Sequence, residues 1–282
     1  VIEHFIDTNG IRIHVVEHPG DGPALFLFPG LNANAVFFDG LVHAGLSPAL
    51  HVYSVDLRGR GLSDAPESGY EMSDHADDIL GLFDVLGVER VNLGGHSFGG
   101  LLTYYLAAHR PDRVDRAVVI DSPLEVSDTV IDQLGPALDR LRVVTPSWGQ
   151  YLAAVKSMPY YAGWWDGDLE AYYRADVKEN PDGSVQSRLD PDKIRQALEG
   201  TTRVDWPSLA ERIDAPLLLL RATAPFGLPG HPPILSSEDA QRTLSLLRSP
   251  RYVELPGNHI TALFGASARV AAQAVIDFLG AD

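Results

Sequence analysis

Residues 91–109 constrain this chain more than any other stretch. An apolar run that begins with Val91 and holds Leu93 meets Gly95-His96-Ser97-Phe98-Gly99, and helix-forming residues follow as far as His109. The pattern predicts a strand, a tight turn and a helix, with Ser97 at the apex and a glycine two positions to either side. A serine on so sharp a turn needs strained backbone angles. Strand and helix can close on it only if the flanking residues carry almost no side chain. Its hydroxyl then stands at the carboxyl end of a sheet, and the Phe98 N–H, at a helix N-terminus, aims at the same point. The competing reading is a glycine-rich turn of a dinucleotide-binding fold. The stretch lacks that fingerprint's place in the first strand and its third glycine.

The rest of the chain supplies a sheet for this turn to stand on. Residues 3–7 and 11–16 alternate about Asn9-Gly10, a two-residue hairpin signal. Residues 24–28, 51–56, 114–120, 215–220 and 251–255 read as further strands. The first of these, Ala-Leu-Phe-Leu-Phe, is apolar on both faces, as a mostly parallel sheet requires. Helices are expected over 36–46, from an N-cap at Ser73 with Ile79, Phe83 and Leu86 on one face, and over 237–247 and 262–279. Strands alternating with helices imply an α/β layer fold with right-handed crossovers and helices on both faces. Between 123 and 209 the rhythm changes. Val126, Val130, Leu134, Leu138 and Leu141 recur at helical spacing, no buried-strand run appears, and aromatics accumulate, from Trp148 and Tyr151 to Tyr172 and Tyr173. The expected organisation is a core of residues 1–122 and 210–282, with a helical lid over 123–209.

Charge narrows the partners. The chain carries 22 Lys and Arg against 38 Asp and Glu, a formal charge of −16, which argues against nucleic acid or an anionic membrane. It has no cysteine, hence no disulfide and no thiol chemistry, and the redox compartment stays open. No signal peptide and no apolar run of spanning length is evident, so a soluble, cytoplasmic protein is the expectation. The first residue is Val1 rather than methionine, which leaves a trimmed start open.

Ser97 needs a base. His259 follows the last strand, introduced by Gly257-Asn258, and can reach across the sheet's carboxyl edge to take the serine proton and return it to a leaving group. Of the ten histidines, His14, His18, His43, His51 and His109 read as surface residues, and His96 is expected to point away from the site. Asp121 closes the strand beside the nucleophile strand and therefore shares its edge. It is the expected third member, with Glu125 and Glu238 as alternatives. Capping the next helix is the other reading of Asp121, and Glu238 looks more like the first-turn acid of a helix. The oxyanion donors are expected to be the backbone N–H groups of Phe98 and Leu31, the latter after Pro29-Gly30. Asn32 and Asn34 read as turn residues. Tyr160, Trp164, Trp165 and Arg174 are the candidate substrate contacts.

Together, G-x-S-x-G, the loop from Asp56 to Ser63 (Asp-Leu-Arg-Gly-Arg-Gly-Leu-Ser), Pro29-Gly30 and Gly257-Asn258-His259 resemble the α/β-hydrolase superfamily over essentially the whole chain. The resemblance implies an eight-stranded, mostly parallel sheet with an inserted helical lid, Ser97 as nucleophile, His259 as base, and an oxyanion hole from the backbones of Leu31 and Phe98. Two departures matter. The usual His-Gly is Pro29-Gly30 here. The usual acid position, after the strand that follows the lid, is empty, and Asp121 falls where a subset of haloalkane dehalogenases and the zearalenone lactonases keep their acid. Residues 32–38, 55–78 and 118–121 are similar to an amide-cleaving subgroup that binds a dicarboxylate, which makes Arg140, Arg142, Arg174 and Arg188 candidate carboxylate partners. The expected function is hydrolysis of a small or medium ester, lactone or amide through an acyl-enzyme, without metal or cofactor. Carbon–carbon bond hydrolysis and haloperoxidase-like activity share the triad, and a ligand receptor with a vestigial site is the alternative of another class. The expected partner is a small-molecule substrate, with a homodimer left open.

Overall fold

A two-residue turn at Asn9-Gly10, both at positive φ, joins strand β1 (Ile2–Thr8) to β2 (Ile11–His18) as an antiparallel pair. The computed structural model describes residues 1–124, 138, 140–227 and 230–280. Its main sheet continues through β3 (Ala24–Phe28), β4 (His51–Val55), β5 (Val91–His96) and β6 (Val114–Ile120). The chain then forms three short strands, β7 (Val144–Thr145), β8 (Val177–Glu179) and β9 (Val185–Ser187). It rejoins the main sheet as β10 (Leu217–Ala222) and β11 (Pro250–Leu255). The eight strands lie in the order β1-β2-β4-β3-β5-β6-β10-β11, and every pair from β4 to β11 is parallel. This is the α/β-hydrolase fold that the motifs led us to expect.

Both faces of the sheet are covered. Phe26, Phe28, Leu93, Val119 and Leu219 pack on one side with the helices Met72–Leu86 and Phe98–His109. The alternate residues Leu25, Leu27, Val118, Ile120, Leu218 and Leu220 pack on the other with Phe37, Phe38 and the helix Gly265–Leu279. Two-sided burial is why these strands read as unbroken apolar runs. The helix Ser237–Leu246 carries Glu238 in its first turn.

Several local expectations are corrected. Residues 36–46 do not form one helix. The stretch is broken into Ala35–Phe38, Asp39–Leu41 and Val42–Leu46, with Gly45 at φ 112°. The helix Met72–Leu86 starts after Glu71, whose N–H donates to Asp74, so Ser73 lies inside the first turn and is not the cap. The segment between β6 and β10 is not purely helical. It holds the helices Trp148–Lys156, Gly167–Asp176, Pro191–Thr201 and Trp206–Ala210, together with the small sheet β7-β9-β8. The turn Asn180-Pro-Asp-Gly183 closes the β8–β9 hairpin, with Asn180 N–H donating to the Ser184 carbonyl at 2.8 Å. Strands of two or three residues are too short to show an alternation. Val126, Val130, Leu134 and Glu125 lie outside the described residues.

Candidate active site

Ser97 links β5 to the helix Phe98–His109 at φ 54°, ψ −116°, a conformation that a residue with a side chain adopts only when its surroundings impose it. The surroundings here are the glycines. A Cβ on Gly99 would lie 1.9 Å from the Phe28 carbonyl oxygen, and one on Gly95 would lie 1.9 Å from that of Gly99. Strand and helix therefore approach closely enough to force the turn. The Ser97 N–H donates to the Ile120 carbonyl at 3.0 Å, which ties the apex to the end of β6.

That same strand end carries Asp121, fully buried and at φ 46°. Its Oδ2 accepts from His259 Nδ1 at 2.7 Å, and its Oδ1 accepts from the Ala222 N–H at 2.9 Å. Ala222 ends β10, the strand after which the superfamily usually places its acid. In this chain that position contributes a backbone donor that orients a carboxylate arriving from the neighbouring strand. With Nδ1–H given to Asp121, His259 Nε2 is left as the basic nitrogen. Ser97 and His259 line one pocket, with a free volume of about 60 Å³. Among the described residues the Ser97 hydroxyl makes no hydrogen bond. Such contacts often tighten only with substrate bound.

Two residues at this site escaped sequence reasoning. His96 does not point away. It lines the pocket, its ring lies 4.4 Å from that of His259, and its Nε2–H donates to the His259 carbonyl at 2.7 Å. Burial pushes its pKa well down, so it is a neutral strut under His259. Asn258 holds the other side of that loop. Its Oδ1 accepts from the Ile260 and Thr261 N–H groups, and its Nδ2 donates to the Tyr160 carbonyl at 2.7 Å. An Asn just before the candidate base is a visible signal, but its partner in a distant segment is not. His14 and His18, read as surface residues, are buried. His14 donates to Asp56 at 2.7 Å, and His18 lies 3.7 Å from Asp39.

Leu31 lines the pocket and Phe98 begins the helix that follows Ser97. Among the described residues neither N–H has a protein acceptor. The facing wall comes from the inserted segment: Tyr160, Tyr161, Tyr172, Tyr173 and Arg140. Arg140 donates to Asp176 at 2.9 Å and to the Tyr151 hydroxyl, and lies over the Tyr173 ring. Of the sequence candidates for substrate contact, Tyr160 is in this wall; Trp164, Trp165 and Arg174 are not. Trp165 stacks outside Tyr173, and Arg174 is exposed, paired with Glu179 at 2.9 Å and lying over Trp148. An aromatic-rich stretch buries its rings against one another, so only part of them reach the cavity. A larger open groove, about 780 Å³, runs between β11 and the helix Gly265–Leu279, but no serine or histidine lines it. Among the described residues no cluster of His, Cys, Asp or Glu could hold a metal ion, and no helix is long and apolar enough to cross a membrane.

Comparison with known proteins agrees with this fold. Residues 23–156 match the family model described as alpha/beta hydrolase fold. The chain is similar to 2-(acetamidomethylene)succinate hydrolase of Mesorhizobium japonicum, with 39% identity over 47% of this chain and 48% of that protein. It is also similar to N-formylmaleamate deformylase of Pseudomonas putida, with 35% identity over 42% of this chain and 44% of that one. The matched segment thus spans about half the length of these curated relatives. The crystal structure of E-2-(acetamidomethylene)succinate hydrolase superposes with a TM-score of 0.85 at 26% identity, covering 99% of both chains.

Proposed function

We propose that this protein, a member of the α/β-hydrolase superfamily, is a serine hydrolase that cleaves the acyl bond of a small amide, ester or lactone. The observation that carries the reading is the buried Asp121–His259 pair, whose histidine shares one pocket with a serine at the apex of a strained turn. In that reading Ser97 Oγ attacks the substrate carbonyl and His259 Nε2 takes its proton, while Asp121 holds the ring and stabilises the cation that forms. The negative oxygen of the tetrahedral intermediate lies against the Leu31 and Phe98 N–H groups. His259 then gives its proton to the departing amine or alcohol. A water molecule, activated by the same ring, frees the acyl group and restores the serine.

The substrate class follows from the opposite wall. A pocket of about 60 Å³ suits an acyl group of a few heavy atoms, and the two relatives' names specify an acetamido and a formyl group. The described part of the inserted segment that lines the pocket, with Arg140, Tyr160, Tyr161, Tyr172 and Tyr173, acts as its lid. Arg140, ion-paired with Asp176, directs its remaining N–H donors to an acidic or carbonyl group of the substrate.

The test is turnover of p-nitrophenyl acetate and of matched N-formyl, N-acetyl and lactone substrates by wild type and Ser97→Ala. Multiple turnovers that disappear in the variant are expected. Turnover that survives the substitution overturns the reading, and a single slow burst with tight retention of ligand points instead to a receptor.

A further inference from the structure

Two arginines in the loop after β4 are buried, and they are treated differently. Arg58 pairs with both oxygens of Asp78, at 2.6 and 2.5 Å. Arg60 is 1% exposed, and among the described residues no carboxylate partners it. Its acceptors are neutral. Nε donates to the Leu31 carbonyl at 3.0 Å, and Nη1 donates to the Arg58 carbonyl at 2.7 Å and to His75 Nε2 at 3.1 Å. Its Nη2 has no partner, and the guanidinium lies 4.9 Å from the centre of the Phe98 ring. A buried cation without a counter-ion is costly, and so is a buried donor without an acceptor. His75 is fitted to the arrangement. Its Nδ1–H donates to the Glu71 carbonyl, which presents Nε2 as an acceptor, and burial with two neighbouring guanidinium groups pushes its pKa well down. Burial, with Arg58 adding to it and Tyr70 opposing, pulls Arg60 down to about 9, so it still carries its charge at neutral pH.

Two of the residues Arg60 touches are Leu31 and Phe98, whose uncommitted N–H groups stand at the pocket. On the Leu31 side the geometry is specific. The Gly30 carbonyl accepts from the Ala33 N–H at 3.2 Å, and in a planar trans peptide this turns the Leu31 N–H the opposite way. Arg60 holds the carbonyl at the other end of Leu31. Both peptide planes that meet at this residue are therefore fixed. From the loop's far side, Asp56 accepts from the Ala35 N–H at 2.7 Å.

We propose that Arg60 is the positioning residue of the oxyanion hole: it locks the Leu31 peptide and the Phe98 ring from behind and sets a buried positive charge beside the forming oxyanion. The proposal rests on the serine-hydrolase reading above and adds to it a residue that touches no substrate.

The test compares Arg60→Met, Arg60→Lys and His75→Leu with wild type in p-nitrophenyl acetate hydrolysis and in inhibition by a small boronic acid. The boronic acid forms a tetrahedral anion on Ser97 and so reports on stabilisation by the oxyanion hole without the leaving-group and deacylation steps. Arg60→Met is expected to lower kcat about 10- to 100-fold with KM changed less than about threefold, and to weaken boronate binding by a similar factor. Arg60→Lys, which keeps the charge but not the planar fork, recovers part of both losses. His75→Leu, which removes one acceptor, loses about three- to tenfold in the same two readouts. A folded Arg60→Met with kcat within about twofold, a loss confined to KM, or unchanged boronate affinity overturns the proposal. Should both Arg60 variants fail to fold, unchanged boronate affinity in His75→Leu overturns it equally. If Ser97→Ala itself retains turnover, the serine-hydrolase reading has failed; if it is dead while Arg60→Met is unaffected, only the role of Arg60 falls.

Discussion

At the sheet's carboxyl edge the acidic and imidazole groups are each tied to a second group of the scaffold. Asp121 gives one oxygen to a strand-end N–H and the other to His259, whose carbonyl is held in turn by His96. The wall across the pocket is built otherwise. Tyr161 and Tyr173 share a hydroxyl contact, Trp165 stacks on Tyr173, and Arg140 reaches Asp176 and Tyr151, so rings and one ion pair hold a surface that belongs to no sheet. Geometry for proton transfer tolerates little displacement, and the sheet supplies that precision. Packed aromatic rings can exchange for others of similar volume, so the wall is where the choice of substrate can change while the chemistry stays.

The sharpest way to break this comparison is at Asp121. Asp121→Asn removes the carboxylate that orients His259 and is expected to cost about 10³- to 10⁴-fold in kcat with KM little changed. A loss under tenfold in a folded variant would move the role elsewhere. Gly99→Ala attacks the scaffold instead. With a Cβ placed 1.9 Å from the Phe28 carbonyl, it is expected to destabilise the fold by about 3 kcal/mol or more, measured by denaturant unfolding.

The two regions also meet at a titrating contact. His43 bridges to Asp168 of the inserted segment at 2.9 Å, and beside it Asp39 is pushed up to about 6, chiefly by burial, with the Asp168 charge adding and His43 opposing. A carboxyl whose folded pKa is raised favours folding while protonated, below its ordinary value of 3.8, and that contribution is lost as pH rises through about 6. Asp39→Asn is therefore expected to gain up to about 3 kcal/mol over wild type near pH 8 and almost nothing near pH 4, read as Tm against pH.

Substitutions in the wall should act on selection. Tyr160→Ala is expected to raise KM for the smallest acyl substrate about tenfold and to shift preference toward longer acyl chains, with kcat changed less. Arg174→Ala, on the outer surface, should alter kcat/KM by less than about twofold. A large effect there would mean that the wall extends beyond the lining residues.

What was legible from residue order follows the same division. The elbow, the hairpin at Asn9-Gly10, the buried strands and the candidates Ser97, His259 and Asp121 are local patterns, because backbone strain, two-sided burial and strand-end placement each leave a mark within a few residues. Which aromatics of 148–173 face the cavity left no such mark, since Tyr160 lines it and Trp164 does not although both lie in the same aromatic-rich stretch. His14 and His18 looked exposed because their partners, Asp56 and Asp39, come from other strands and turns. His96 sits beneath His259, and Arg60 sits behind Leu31, only because β5, the loop after β4 and the last loop converge in space. Chemistry-bearing residues could be nominated from the order of amino acids. Their partners, separated by up to 163 positions as for His96 and His259, were settled by tertiary contact alone.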